Sequence, residues 1–394
     1  MITLSCKIRF LYVLLAACVG GMLYLLYTFV NSPEGKNASF LFVPSLGFIL
    51  LPGTVPTPTD LIMSISVGYP ASSIERFIRS IRRFDKTSHV MLFLDSDQMN
   101  NPSIGRYCQE YKIEYIHMSY DSYSFTEWSH VLQNASRDSS FFTKTNIAGH
   151  RFGYQYAWLL KQNPSKFRYI FIVYFRDTIF QGNIFNQVHS SLEEWINPSS
   201  ILTPSGLERN LQSIHWSTTQ TQASLETTAR SLLHPTSSIL DPMLIVFTEA
   251  TRMELQMCLF NRVWLGHVYG YEWVEYWKHR YIISAGAILG TYSGMINWIQ
   301  PLVHQIEKFS QTGKYDSNDQ GIHNYLIHGD HINASVFMAH NERNQMVFTM
   351  AQLMREEIKT DKEGYVQVTE RLDTYPAVLH QYDRFEDIMK LYNG

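Results

Sequence analysis

Short apolar runs alternate with amphipathic segments along most of the chain. The runs that predict strands are LIMSISV at 61–67, HVMLFLD at 89–95, IEYIHM at 113–118, the segment 168–174, and YIISAGAIL at 281–289. The segments with helical spacing are about 72–84, 96–111, 150–162 and 292–309, together with a short helix that begins at Ser317. Strands that are apolar along their length and alternate with helices predict an α/β fold, in which a parallel sheet is covered by helices on both faces.

Two polar stretches interrupt this alternation. Residues 119–149 are mostly polar, and residues 206–241 are dense in Ser and Thr and show little apolar periodicity. Loops of that length inside a compact domain are usually functional or disordered, so 206–241 is predicted to be a long loop or a small insertion. Ligands of open α/β sheets bind at the carboxyl ends of the strands, and a functional site is expected there.

The N-terminus contains a long uncharged apolar run at residues 10–30. About 20 such residues suffice to cross a bilayer as a helix, which predicts a transmembrane signal anchor. Lys7 and Arg9 precede the run, so residues 1–9 are expected to stay cytoplasmic and the rest to be lumenal, a type II topology. The alternative is a cleaved signal peptide, although its apolar core is typically only about 7–15 residues long.

Residues 31–60 are rich in Pro, Gly and Ser and are predicted to form a stem before a lumenal domain at 61–394. Within the stem, the apolar run 40–51 is interrupted by Pro44 and Gly47 and is too short to cross a membrane. It is expected to pack on the globular part.

Net charge excludes one class of binding protein, and the cysteines and sequons bear on what happens to the chain in a lumen. The 32 Lys and Arg residues against 35 Asp and Glu give a net charge of −3, which excludes a chain held to nucleic acid mainly by a basic surface. In an oxidising lumen Cys108 and Cys258 either form a disulfide or remain two buried thiols. Three sequons would be glycosylated if the chain is lumenal: Asn37, Asn134 and Asn333.

Candidate chemistry concentrates in three clusters: RDTIFQGN at 176–183, SNDQGIHNYLIH at 317–328 and LHQYDR at 379–384. An acidic residue just after a central strand, together with a late histidine, can hold a divalent cation. Carboxylates suit Mg²⁺ or Mn²⁺, and Mn²⁺ also accepts imidazole. Such a cation would neutralise a departing diphosphate, as transfer from a nucleotide-activated donor requires.

At these segments the chain resembles the GT-A-fold nucleotide-diphospho-sugar transferases. The resemblance covers roughly residues 60–385 and is carried, in order, by RDTIFQGNIF at 176–185, SAGAILGTYSGM at 284–295, DQGIHNYLIH at 319–328 and LHQYDR at 379–384. It implies a Rossmann-like GT-A fold with a mixed, mostly parallel sheet. It also implies a Golgi membrane glycosyltransferase that takes a nucleotide-sugar donor, a glycan or glycoprotein acceptor, and Mn²⁺ or Mg²⁺.

The resemblance also implies roles for single residues. Asp177 would lie in the metal and diphosphate site, His380 would be a late metal ligand, and Asp319 with Gln320 would form the catalytic and acceptor region. The implied donor-binding residues are Arg176, Asp177, Gln181, Ser284 and Gly286. Taken singly, each has a structural alternative: helix initiation for Asp319, a local ion pair for Arg176 and Asp177, and a core position for His380.

Two features bear on the metal and nucleotide sites. Relatives commonly read D-x-R-D at the end of the fourth strand, whereas Tyr174 stands here where the first Asp is expected. That departure favours an alternative function, an inactive transferase-like binding or scaffold protein. The segment Asp95-Ser96-Asp97 ends the second strand, where Asp97 would contact the nucleoside, or the segment forms an ordinary polar turn.

Overall fold

The computed structural model describes residues 39–43, 47–51, 58–118, 147–188, 191, 241–311, 319–368 and 375–393. Contacts divide the chain into two units, Met1–Pro58 and Thr59–Gly394. In the first unit, β1 (Ser39–Val43) and β2 (Gly47–Leu51) form an antiparallel pair inside the predicted stem. Within the described ranges no helix is long and apolar enough to cross a bilayer, and the predicted anchor at 10–30 lies outside them.

A seven-stranded mixed sheet forms the centre of the second unit. Its strands are β3 (Thr59–Ile65), β4 (His89–Leu94), β5 (Glu114–His117), β6 (Phe167–Val173), β8 (Met243–Thr248), β9 (Ile283–Gly290) and β10 (Ser335–Ala339). The strand order is β10-β8-β9-β6-β3-β4-β5. All neighbours are parallel except where β9 pairs with β8 and β6, so the predicted mixed, mostly parallel sheet is confirmed.

Helices connect and cover these strands. They are α1 (Ala71–Phe84), α2 (Ser96–Met99), α3 (Pro102–Glu110), α4 (Ile147–Leu160), α5 (Leu259–Tyr269), α6 (Tyr271–Tyr276), α7 (Tyr292–Gln311), α8 (Asp319–His328) and α9 (Glu386–Asn393). The predicted helix at 96–111 is two helices, because Asn101 caps a new helix that has Pro102 at its first position.

The core lies on both faces of the sheet, as period-two strand geometry requires. Ile170 and Ile172 of β6 pack in one cluster with residues of α4, α7 and α8, including the fully buried Trp298. Phe171 and Val173 of the same strand pack in a second cluster with α1 and α3. Each side of β6 is therefore fixed by apolar packing, which positions the residues that follow its carboxyl end.

A separate, three-stranded sheet follows the central one. It consists of β7 (Thr178–Phe180), β11 (Val347–Thr349) and β14 (Val378–His380), and beside it β12 (Ile358–Thr360) and β13 (Val366–Val368) form a hairpin. In this sheet His380 is the cross-strand partner of both Thr178 and Thr349. The pairing brings the last sequence cluster to the end of β6.

The segment 242–280 differs from expectation, since no element was predicted there and the structure has β8, α5 and α6. All six residues of β8, MLIVFT, are buried, as expected for a strand covered on both faces.

Cys108 and Cys258 are free and buried, which favours two buried thiols over a disulfide. Burial raises the pKa of the Cys108 thiol to about 11.

Candidate functional site

A cavity of about 260 Å³ lies at the carboxyl ends of β3 and β6, where open α/β sheets bind ligands. We call it the β3/β6 cavity. Its polar lining comes from three places: the segment after β3, the start of α4, and the segment after β6. The polar side chains are Tyr69, Arg151, Gln155, Tyr174, Arg176 and Asp177.

Asp177 and His380 are brought together by the pairing of β7 with β14. Asp177 Oδ1 lies 3.8 Å from His380 Nε2, and both side chains are almost fully buried. Neither atom has a hydrogen-bond partner among the described residues. Burial lowers the pKa of His380 despite the opposing charge of Asp177, so the imidazole is uncharged at neutral pH. Buried polar atoms without partners are costly, which favours a ligand that bonds to them.

Strand β9 forms the wall behind His380. The backbone N–H of Tyr174 donates to the carbonyl of Gly286 at 2.8 Å, which extends the pairing of β6 with β9 by one residue. A Cβ atom at position 286 would lie only 2.2 Å from His380 Nε2, so glycine is needed there for the close approach of the imidazole. Ser284 Oγ lies 3.4 Å from the other ring nitrogen, Nδ1.

A second cluster joins Arg151, Tyr174 and Asp319. The guanidinium carbon of Arg151 lies 3.6 Å from the centre of the Tyr174 ring. Arg151 Nη2 donates to the Tyr174 hydroxyl and to Asp319 Oδ2, and the Tyr174 hydroxyl also donates to Asp319 Oδ2. Burial raises the pKa of Tyr174 to about 12, so the phenol stays neutral. Asp319 begins α8 and its carboxylate faces the cluster, which is more than helix initiation alone requires.

The Gln320 side chain forms hydrogen bonds to the backbone of β9. Its Oε1 accepts from the backbone N–H of Ala285 at 2.7 Å, and its Nε2 donates to the carbonyl of Ile283 at 2.9 Å. These bonds tie α8 to β9. Nε2 also lies 3.4 Å from Oε1 of Glu249, a buried carboxyl whose pKa is raised to about 7 by burial. The catalytic role of Gln320 stays a prediction.

Gln181 and Asp97 do not line the β3/β6 cavity. Gln181 is buried: its Oε1 accepts from Val366 N–H at 2.6 Å and from the Tyr392 hydroxyl at 2.7 Å. Asp97 is exposed in the first turn of α2, and Asp95 caps that helix in a reciprocal pair with Gln98. Asp97 therefore lies in a capped helix rather than in a turn, and the donor contacts of Gln181 and Asp97 stay predictions.

Arg176 is exposed and lies at the cavity edge, where its Nε is 3.5 Å from Asp383 Oδ2. The structure thus brings Arg176, Asp177, Ser284, Gly286 and His380 to one place. Asp319 joins them through Tyr174. Arg151 was missed in the sequence analysis, because a lone arginine near the start of a helix belongs to no motif.

The side chains at the site decide whether it can hold the metal ion that the GT-A resemblance implies. Mg²⁺ and Mn²⁺ prefer several oxygen ligands in a near-octahedral arrangement. Asp177 offers a single carboxylate and His380 one imidazole, while Tyr174 presents a neutral phenol and is covered by the Arg151 guanidinium. Across the described residues no group of three His, Cys, Asp or Glu side chains could hold a metal ion. The side chains present do not fit a divalent cation held by the protein.

Comparison with known proteins leaves the family open. No protein-family model matches the chain, and no curated protein matches it. Among solved structures, a complex of the galactosyltransferase LgtC with donor and acceptor sugar analogs matches 84% of this chain and 95% of its own, at 11% identity and a TM-score of 0.39. A TM-score of that size assigns neither family nor activity, so the function is inferred from the site.

Proposed function

We propose that the protein is a glycosyltransferase that moves a sugar from a nucleotide-diphosphate-sugar donor to a glycan or glycoprotein acceptor. One observation supports this most. Two buried polar atoms without hydrogen-bond partners among the described residues, Asp177 Oδ1 and His380 Nε2, lie beside a cavity at the carboxyl ends of parallel strands. The four motifs that resemble GT-A transferases meet at this place.

The lining suits the two parts of such a donor. Arg151 and Arg176 present positive charge to a diphosphate, and guanidinium–phosphate hydrogen bonds are among the stronger ones in proteins. Asp177 Oδ1 and His380 Nε2 can pair with sugar hydroxyls, which donate as well as accept. Tyr69 lies at the cavity with its ring 5.1 Å from that of Phe175, and provides an aromatic face for a sugar or a base.

Catalysis would come from positioning and from stabilisation of the leaving diphosphate. Asp319 would act in the acceptor region. Because Arg151 and the Tyr174 hydroxyl both donate to Asp319 Oδ2, its carboxylate is better suited to orienting groups than to removing a proton.

The proposed location is the Golgi membrane, with the domain after residue 60 in the lumen and the apolar run 10–30 as anchor. The charge asymmetry across that run supports this topology. Asn333, one of the three sequons, is exposed and therefore accessible to glycosylation.

A second function, a transferase-like binding or scaffold protein without activity, is favoured by one observation: Tyr174 stands where a metal-binding carboxylate is expected. Both functions use the β3/β6 cavity, but only the active glycosyltransferase would release nucleoside diphosphate from the nucleotide-sugar.

Photoaffinity labelling tests the location of the donor. Azido analogues of uridine, guanosine, adenosine and cytidine diphosphates are cross-linked to the full chain, and labelled peptides are identified by mass spectrometry. We expect one analogue to label peptides that contain residues 65–69 or 172–177, and unlabelled nucleotide-sugar with the same base to suppress it. Labelling confined to peptides outside the cavity would contradict the proposal, as would labelling by none of the analogues.

A further inference from the structure

We propose that the guanidinium of Arg151 supplies the positive charge that faces the donor diphosphate, so that donor binding does not require a divalent cation. This inference depends on the proposed function. It assigns to the protein's own side chain a task that the GT-A resemblance gives to Mn²⁺ or Mg²⁺.

The first line of evidence is the position of Tyr174. It follows β6 directly, and its backbone is fixed to Gly286 by a 2.8 Å hydrogen bond. Its ring has Arg151 over one face and His380 at 5.9 Å in an edge-to-face arrangement. An aromatic face attracts a guanidinium, so the position that would carry a metal-binding carboxylate instead holds an arginine in place.

The second line of evidence is the orientation of Arg151. Its hydrogen bonds to Tyr174 and Asp319 both come from Nη2. Its Nε is buried and has no partner among the described residues. A guanidinium has five N–H donors in a fixed plane, so donors remain for phosphate oxygens while Asp319 and Tyr174 hold the group. Arg151 is thus held in place while its Nε–H lacks a hydrogen-bond partner among the described residues.

The third line of evidence is the charge of the cavity. Among the described residues that line it, Arg151 and Arg176 are cationic and Asp177 is anionic. Asp319 and Asp383 lie outside this lining and pair with Arg151 and Arg176, so the surroundings of the cavity carry no net positive charge. The lining itself nevertheless presents two guanidiniums to an anion and only one carboxylate to a cation.

The chain contains a matched control for this arrangement. Arg168 near the amino end of β6 also pairs with an aspartate, Asp60, through two hydrogen bonds, and it lines no part of the β3/β6 cavity. Loss of Arg168 removes an arginine–aspartate pair without changing the cavity. A comparison of the two arginines separates ligand contact from general stability.

The test is calorimetric titration of the purified full-length protein with uridine, guanosine, adenosine and cytidine diphosphates, in excess EDTA and in Mn²⁺. We expect one diphosphate to bind in EDTA with a Kd within about threefold of that in Mn²⁺. Arg151→Gln should weaken this binding about tenfold or more in both buffers, because a charge-assisted hydrogen bond is lost. Arg168→Gln should bind like wild type.

Two further variants keep the test informative. Arg151→Lys retains the charge, so it should bind more tightly than Arg151→Gln, and thermal unfolding of both variants shows whether the fold persists. Tyr174→Asp removes the aromatic support of Arg151 and places a second carboxylate beside Asp177. We expect Tyr174→Asp to bind the diphosphate weakly in EDTA and more tightly with Mn²⁺; behaviour identical to wild type in both buffers would count against the inference.

The outcomes are distinguishable. If wild type binds a diphosphate only with Mn²⁺, the inference fails and the proposed function survives. If binding in EDTA is unaffected by Arg151→Gln, the role of Arg151 is refuted. If no diphosphate binds in either buffer, the proposed function fails, and the inference with it.

Discussion

Glu249 makes the stability of the protein dependent on pH in a defined direction. It follows β8, and it is only 6% exposed. Its backbone N–H donates to Ile282 at 2.8 Å, and Gln320 Nε2 lies 3.4 Å from its Oε1. Burial raises the pKa of this carboxyl from 4.5 to about 7, against the weaker opposing effect of Arg384. Glu249 therefore supports the contact between β8, β9 and α8 in its protonated form.

The sign follows from proton binding. Between pH 4.5 and about 7 the folded state holds a proton that the unfolded state has released. The stabilisation is complete below 4.5 and is lost as the pH rises through the folded-state pKa near 7. At about 1.4 kcal/mol for each pKa unit, the shift corresponds to about 3 kcal/mol of unfolding free energy.

The assay is urea unfolding of wild type and Glu249→Gln, followed by fluorescence between about pH 4 and pH 8. The Gln side chain is neutral throughout, so wild type should lose about 3 kcal/mol relative to the variant as the pH rises. Glu110→Gln, at an exposed position on α3, is the control and should follow wild type. Parallel pH profiles for wild type and Glu249→Gln would refute the assignment of a buried, protonated carboxyl.

Three other predictions concern the site, the cysteines and the topology. Gly286→Ala should displace His380 and abolish donor binding measured by calorimetry. Gly105→Ala should not, because no atom of the described residues lies within 4 Å of the new Cβ. Equal affinities of the two variants would contradict the close approach of His380 to Gly286. Cys108 and Cys258 should both be alkylated in the denatured, unreduced protein, and a linked peptide pair would show otherwise. Protease added to intact microsomes should leave the chain after residue 30 undigested, and the sequons should carry glycans. Digestion of the chain to a membrane-embedded stub would contradict the lumenal topology. The three sequons are Asn37, Asn134 and Asn333.

Local patterns were enough to predict most of the central sheet. The strands predicted at 61–67, 89–95 and 168–174 are mostly apolar runs, and the structure has β3, β4 and β6 at 59–65, 89–94 and 167–173. The direction of β9 could not be predicted, because strand direction depends on which neighbours it joins and not on its own composition. β8 carried an equally clear apolar signal, MLIVFT, that the sequence analysis passed over beside the Ser- and Thr-rich segment.

The site was predictable only in part. Asp177 and His380 are far apart in sequence, and their contact follows from the pairing of β7 with β14, which no local pattern specifies. Resemblance to a family supplied that link. The resemblance also implies Gln181 as a donor ligand. In the structure its amide bonds to the backbone of Val366 in β13 and to the carbonyl of Pro376 just before β14. Arg151 had no signature, since its importance comes from a ring and a carboxylate on other elements.

Donor turnover tests the central claim most directly. The full chain is incubated with a panel of nucleotide-sugars, and release of the nucleoside diphosphate is measured for wild type, Asp177→Asn and Asp387→Asn. Asp387 on α9 forms an exposed ion pair with Arg355 and serves as the control for loss of a carboxylate. We predict that wild type and Asp387→Asn release diphosphate from one donor, and that Asp177→Asn, still folded, is slower by about a hundredfold. Absence of release from every donor by wild type would contradict the transferase function, and full activity of Asp177→Asn would contradict the site.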